Sequence, residues 1–154
     1  MKVNKINDVI NNLFRRSRVK LTPAQKWIIA LGVAILFLGL ANLARAVLAL
    51  YYNSLLPDLP MTASLIYVAA TSGFWGLAFV ACAMGLGRFH PWARWGTLAA
   101  VTLFEIHVWV NHFLFDANDY ARQTWSRDLA LALLLLISTW VVLNWPIIRK
   151  EFKR

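Results

Sequence analysis

Glu105, His107, Asn111 and His112 stand within FEIHVWVNHFLFD, residues 104–116, in an otherwise apolar run. A carboxylate and two imidazoles are groups that move protons or bind metals and haem. Inside a membrane-length helix, an ionisable residue is by default a functional candidate. On a wheel turning about 100° per residue, Glu105, His112 and Asp116 fall within about 20° of one line, with Trp109 close by. Arg94 joins that line at the start of the run, whereas His107 and Asn111 lie on nearly the opposite side. The spacing predicts two polar faces. One is an inward network of Arg45, Asn42, Glu105, His112 and Asp116; the other is a second contact face through His107 and Asn111.

The same spacing excludes several chemistries. His107 and His112 are separated by about 140° on a straight helix and do not converge on one metal. A haem held by two histidines needs them on facing helices, and no other apolar run supplies one, so only a homodimer pairing the same histidine could hold it. His112 and Asp116 form an i, i+4 pair, which is two ligands where zinc takes three or four. No HExxH, serine–histidine or paired-carboxylate signature occurs, so the residues point away from an enzyme, and neither metal nor cofactor is expected. The single cysteine, Cys82, rules out an internal disulfide and CxxC chemistry.

A charge at the bilayer centre costs about 2.5–3.5 kcal/mol on insertion scales, so Glu105 is expected to face protein and to find a partner. Arg45 is the charged residue deep in another apolar run. Counting about 1.5 Å per residue, Arg45 stands roughly 28 Å above Lys26, while Glu105 and His112 stand roughly 16 and 27 Å above Arg94. If both runs start at one level, Arg45 is level with His112 rather than Glu105. A direct Arg45–Glu105 bridge then needs a tilted helix or side chains that reach along the axis. A chain of Arg45, Asn42, His112 and Glu105 is the second expectation, and a protonated Glu105 donating to a backbone group, Thr71 or Ser72 is the third.

Four elements must position these residues. The 154-residue chain is 60% hydrophobic and 14% aromatic, with a mean hydropathy of +0.56. Its apolar residues gather in runs over about 27–52, 62–86, 92–115 and 129–148, and about 20 residues of helix cross a hydrocarbon core. Lipid leaves no water for loose backbone groups, so helices are the expected form and a four-helix transmembrane bundle the expected fold. Ala44-Arg45-Ala46 resembles a signal-peptidase site, but the apolar run and the basic region before it are too long for a signal peptide, so a retained helix is expected.

Positive charges set the predicted orientation. Lys2, Lys5, Arg15, Arg16, Arg18, Lys20 and Lys26 precede the first run, Arg88 and Arg94 lie at the junction of the second and third, and Arg149, Lys150, Lys153 and Arg154 end the chain. The opposite loops hold only Arg122 and Arg127, against Asp58, Asp116, Asp119 and Asp128. Both termini are therefore expected on the cytoplasmic side. The formal charge of +9 reads as topology plus attraction to anionic headgroups; no nucleic-acid motif accompanies it.

Three domains are expected: a basic amphipathic surface helix over 1–21, a four-span domain over 22–148, and a basic tail over 149–154. In the first, apolar residues from Val3 to Phe14 recur at three- and four-residue intervals. LTPAQKW encodes a helix start, with Thr22 as N-cap, Pro23 at the first position and Gln25 completing a capping box. Ala69, Gly73, Gly76 and Ala83 form a small-residue stripe that predicts close helix packing. Arg88, Arg94, Trp92 and Trp95 are expected to contact lipid headgroups. The tryptophan–arginine turn HPWARWG resembles that of many small four-span bacterial proteins, and a bacterial cytoplasmic membrane is the expected location.

Taken together, the residues predict a non-catalytic accessory or scaffold subunit that binds lipids or other membrane proteins, whether a distinct partner or copies of itself. The alternative is an oligomeric transporter or channel working through Glu105, His112 and Arg45. A third reading is a quinone- or haem-binding redox subunit.

Overall fold

A computed structural model describes residues 21–55, 64–115 and 119–152. Residues 1–20 of the predicted surface helix, Asp116, and the last two residues of the predicted tail lie outside the described residues. The regular elements are α1 (Pro23–Leu55), α2 (Leu65–Gly87), α3 (Pro91–Phe115), α4 (Asp119–Asn144) and α5 (Pro146–Glu151). Four of them are long and apolar enough to cross a membrane, and every regular element among the described residues is helical.

The capping box at α1 forms as its sequence dictates. Gln25 N donates to Thr22 Oγ1 at 3.2 Å, and Thr22 N donates to Gln25 Oε1 at 3.0 Å. Losing an N-cap hydroxyl typically costs about 1 kcal/mol, so Thr22→Ala should destabilise the bundle by about that much in mixed-micelle unfolding, with Thr22→Ser near wild type. The second run starts later than 62 because Ser64 is the cap, its Oγ accepting from Ile66 N at 3.3 Å.

The α2–α3 turn is fixed by a Schellman motif. His90 N donates to Gly85 O at 3.0 Å and Phe89 N donates to Leu86 O at 3.0 Å. The motif needs a left-handed residue after the helix, and here that residue is Phe89, at φ 56°. A phenylalanine there carries steric strain, which its packing against the buried Ile28–Leu86–Leu98 cluster offsets. So short a turn forces α2 and α3 antiparallel.

The predicted end of the fourth run at 148, and with it the boundary between span and tail, is corrected. Trp145 is extended (φ −58°, ψ 130°), as the residue before a proline tends to be, and Pro146 starts a separate helix. Ile148 and Phe152, four apart, are both buried against Ala24 and Ile28 of α1. Gln25 Nε2 also donates to Glu151 Oε2 at 3.0 Å, so the two ends of the described chain meet at one end of the bundle.

Among the described helices, α1 and α2 share the most extensive contact, whereas α1 and α4 meet only sparsely. Gly39 and Gly76 allow that closeness. A Cβ on Gly39 would lie 3.1 Å from Gly76 O, and one on Gly76 would lie 2.7 Å from Leu43 Cγ. Ala69 and Ala83 are buried on the same side of α2, and Gly73 faces Ala46. Ile28, Leu86, Leu98 and Leu143 fill the end where α1 starts and α5 packs, and Ile35, Phe79, Cys82 and Val101 fill the middle. The core is therefore solid over about half its length, and what lies beyond it is open.

Candidate functional site

Beyond the packed half, the four long helices splay around a cleft of about 680 Å³. Helix α1 lines it with Leu38, Asn42 and Arg45, and α2 with Tyr67, Val68, Thr71, Ser72 and Trp75. Helix α3 contributes Phe104, Glu105, His107, Val108, Trp109, Asn111 and His112, and α4 contributes Asp128, Leu131, Ala132 and Leu135. Its floor is aromatic. Trp75 meets Phe104 edge-on with centroids 5.6 Å apart, Phe104 meets Phe79 edge-on at 5.1 Å, and Trp75 stacks on Phe79 at 6.2 Å. Phe79 is fully buried, which makes these rings the lid of the packed core.

The two predicted polar faces of α3 turn out to border one space. Glu105 and His112 line the cleft, and so do His107 and Asn111. Val108 lies between the two sets on the wheel, so α3 presents roughly half its circumference to the cleft. The His107 edge is tied to α2: Tyr67 Oη donates to Asn111 Oδ1 at 2.8 Å, and Asn111 Nδ2 lies 2.8 Å from His107 Nε2. The rings of Trp75 and His107 are 5.8 Å apart. The opposite edge approaches α4, where the Trp109 and Trp125 rings meet at 6.2 Å and Trp109 also packs on His112 at 5.5 Å. The expected second contact face of His107 and Asn111 lines the cleft, because α3 stands between α2 and α4.

Depth is corrected as well. Ala46 faces Gly73 across α1–α2, and Leu43 faces Gly76. On the other side, Tyr67 bonds Asn111 and Gly85 packs on Ala93, a register that sets Gly73 against Glu105. Arg45 and Glu105 are thus within about one residue, or ~1.5 Å of rise, of the same level. The sequence count assumed that α1 and α3 begin together. In fact α1 has 33 residues and runs on past the start of α3 to meet α5.

The expected relay of Arg45, Asn42, His112 and Glu105 is not closed. The Asn42 amide donates to Leu38 O in its own helix at 2.9 Å, and the Thr71 hydroxyl to Tyr67 O at 2.8 Å. Among the described residues, Arg45 and Glu105 make no hydrogen bond or ion pair, with each other or with any neighbour. Asp128 is engaged by Arg127 Nε at 3.1 Å. No three His, Cys, Asp or Glu side chains gather as a metal site would need, again among the described residues.

The four residues expected at headgroups divide. Arg88 is exposed, and so are Trp92 and Trp95, with the Trp92 ring also covering Gly85. Arg94 is buried at 8% exposure and is corrected to an internal clasp: its Nε donates to Leu143 O at 2.9 Å and its Nη2 to Asn144 Oδ1 at 2.7 Å. Sequence reasoning missed Tyr67 and Asp128 as cleft residues. Tyr67 stands two residues into α2, at the position of an ordinary interface aromatic, and only the crossing of α2 with α3 turns it toward Asn111. Comparison of the chain with protein-family models, with curated proteins and with solved structures found no match.

Proposed function

We propose that the protein is a non-catalytic subunit of the cytoplasmic membrane that holds the polar head of an amphiphilic molecule in the four-helix cleft. The observation that carries this reading is a cleft of about 680 Å³ at membrane depth, whose walls mix apolar side chains with Asn42, Arg45, Glu105 and His112 and which is closed below by the Trp75–Phe79–Phe104 layer. Ligand pockets commonly measure about 300–1,000 Å³ and combine apolar walls with a few placed polar groups. Lipid gives an empty polar cavity no advantage, since unpaired polar groups inside the bilayer are costly. The basic residues at both chain ends support termini on the cytoplasmic side, which opens the cleft toward the outer leaflet. The residues outside the cleft present large apolar side chains, such as Phe37, Phe113 and Leu134, suited to lipid or to a membrane-protein partner.

The transport reading has less support. A conducting path would have to continue through the packed half, whose interior is built of Ile28, Ile35, Phe79, Leu86, Leu98 and Val101. Among the described residues, the buried titratable side chains of that half are Cys82 and Arg94, and Arg94 is already engaged by Leu143 O and Asn144 Oδ1.

Native mass spectrometry of protein extracted in mild detergent from its own membrane tests the amphiphile reading. A small amphiphile should remain bound to the wild type, and Val108→Trp, which puts an indole into the cleft from the middle of α3, should reduce its occupancy by about tenfold or more at unchanged helicity. Equal retention by both proteins would remove the cleft as the binding site.

A further inference from the structure

Resting on the amphiphile reading, we infer that the head bound in the cleft is a zwitterion, carrying an ammonium and a phosphate on one molecule as aminophospholipid heads do. Arg45 projects from α1 and Glu105 from α3, helices that stand diagonally across the bundle. They share one level, line the same cleft and, among the described residues, make no ion pair or hydrogen bond. A guanidinium and a carboxylate at membrane depth are each stabilised by a counter-charge. The α1 and α3 walls hold them apart, so that role passes to whatever fills the space between them. A purely anionic head would pair with Arg45 and leave Glu105 facing a like charge. A purely cationic head would do the reverse. A zwitterion satisfies both, with its phosphate against the guanidinium fork and its ammonium against the carboxylate.

The surroundings agree with that division. Asp128 already has Arg127, so it does not tip the balance of charge. Glu105 is the acidic residue of α3, and the Asn111 amide is held between Tyr67 and His107. The Trp75 and Phe104 rings line the cleft beside that space, and aromatic rings attract an ammonium. The membrane is the source favoured by the packing: α1 and α4 touch only sparsely, and no residue from Trp125 to Leu131 is buried, which leaves a lateral opening for acyl chains.

Full-length protein in a nonionic detergent should be offered equal amounts of phosphatidylethanolamine and phosphatidylglycerol of the same chain length, with occupancy read by native mass spectrometry. The wild type should favour phosphatidylethanolamine by about tenfold, the effect of one charge-assisted contact. Glu105→Gln should bring the two lipids to within about twofold, and Arg45→Gln should lower both by about tenfold, with Arg45→Lys largely restoring them. Glu105→Gln is isosteric and Arg45 is exposed, so both variants should fold, as circular dichroism would verify. Phosphatidylglycerol bound as well as phosphatidylethanolamine, but lost in Val108→Trp, would overturn the zwitterion while leaving the amphiphile reading intact. If Val108→Trp changes the retention of neither lipid, both conclusions fall. Excess O-phosphoethanolamine, the head without chains, should fail to displace the lipid; displacement would keep the zwitterionic site and assign it to a soluble ligand.

Discussion

Arg94→Ala should lower the unfolding free energy by about 3 kcal/mol or more, since two hydrogen bonds to a charged group are worth about 1.5–3 kcal/mol each and a buried acceptor left unpaired adds to the loss. The reason lies in Pro146. A proline has no N–H to donate, and α4 stops at Asn144. Trp145 N turns back to Val142 O at 3.3 Å, and the carbonyl of Leu143 is left at a broken helix end inside the bundle. Arg94 Nε takes that carbonyl while Nη2 takes the Asn144 side chain, whose amide in turn donates to Trp140 O at 2.9 Å. The guanidinium also lies 4.5 Å above the Trp95 ring. Arg94→Lys should recover less than half the loss, because a single ammonium does not reproduce the planar fork. Arg88→Ala is the control: that residue is exposed in the adjoining turn, and its loss should stay within about 0.5 kcal/mol. Equilibrium unfolding in mixed micelles separates the two, and equal effects from Arg94→Ala and Arg88→Ala would show that the clasp contributes nothing.

That clasp marks where sequence reading runs out. The four apolar runs are legible because lipid leaves helices as the economical solution, and LTPAQ is legible because a capping box is local, its two bonds joining residues three apart. Arg94 reads as an interface cation because its partners lie about 50 positions away in sequence. The NWPIIRKEF segment carried a local signal, with proline at a helix start and apolar residues four apart, but Ile147 and Ile148 merge with the preceding aliphatic run and hide the break. Composition alone does not separate the last turn of a span from the first turn of the next helix.

The site was legible in part, for a similar reason. Residue types at 104–116 identify the chemistry-bearing helix, since so few polar residues occur in the spans. Depth and facing are different quantities. Depth depends on where each helix begins relative to its neighbours, and α1 begins well beyond the start of α3. Facing depends on how wide a sector a splayed helix exposes. A wheel separates Glu105 from His107 by most of half a turn, yet an open cleft admits both. Both errors would vanish in a closely packed bundle of equal helices, so they arise where the fold departs from one.

The α1–α2 contact that sets this geometry makes a prediction in which two effects of opposite sign compete. Alanine is favoured over glycine in a helix by about 1 kcal/mol, so on propensity alone Gly76→Ala should stabilise α2. A methyl there, however, would lie 2.7 Å from both Cγ and Cδ2 of Leu43 and 3.0 Å from its backbone nitrogen. The backbone cannot rotate away, so α1 and α2 must separate, and overpacking of this kind costs about 1–3 kcal/mol. Gly76→Ala should therefore destabilise, and Gly76→Val should lose about 3 kcal/mol or more by the same steric cause. Gly73 belongs to the same stripe, but its Cβ would meet Ala46 Cβ at an ordinary 3.8 Å, so Gly73→Ala should be neutral or stabilising. Thermal unfolding of the two alanine variants decides between a small-residue stripe that acts as a whole and one whose closeness is concentrated at Gly76. Gly76→Ala should also weaken ligand retention. Leu43 lies one residue after Asn42 and two before Arg45, so a displacement of α1 at Leu43 carries the cationic wall of the cleft away from Glu105.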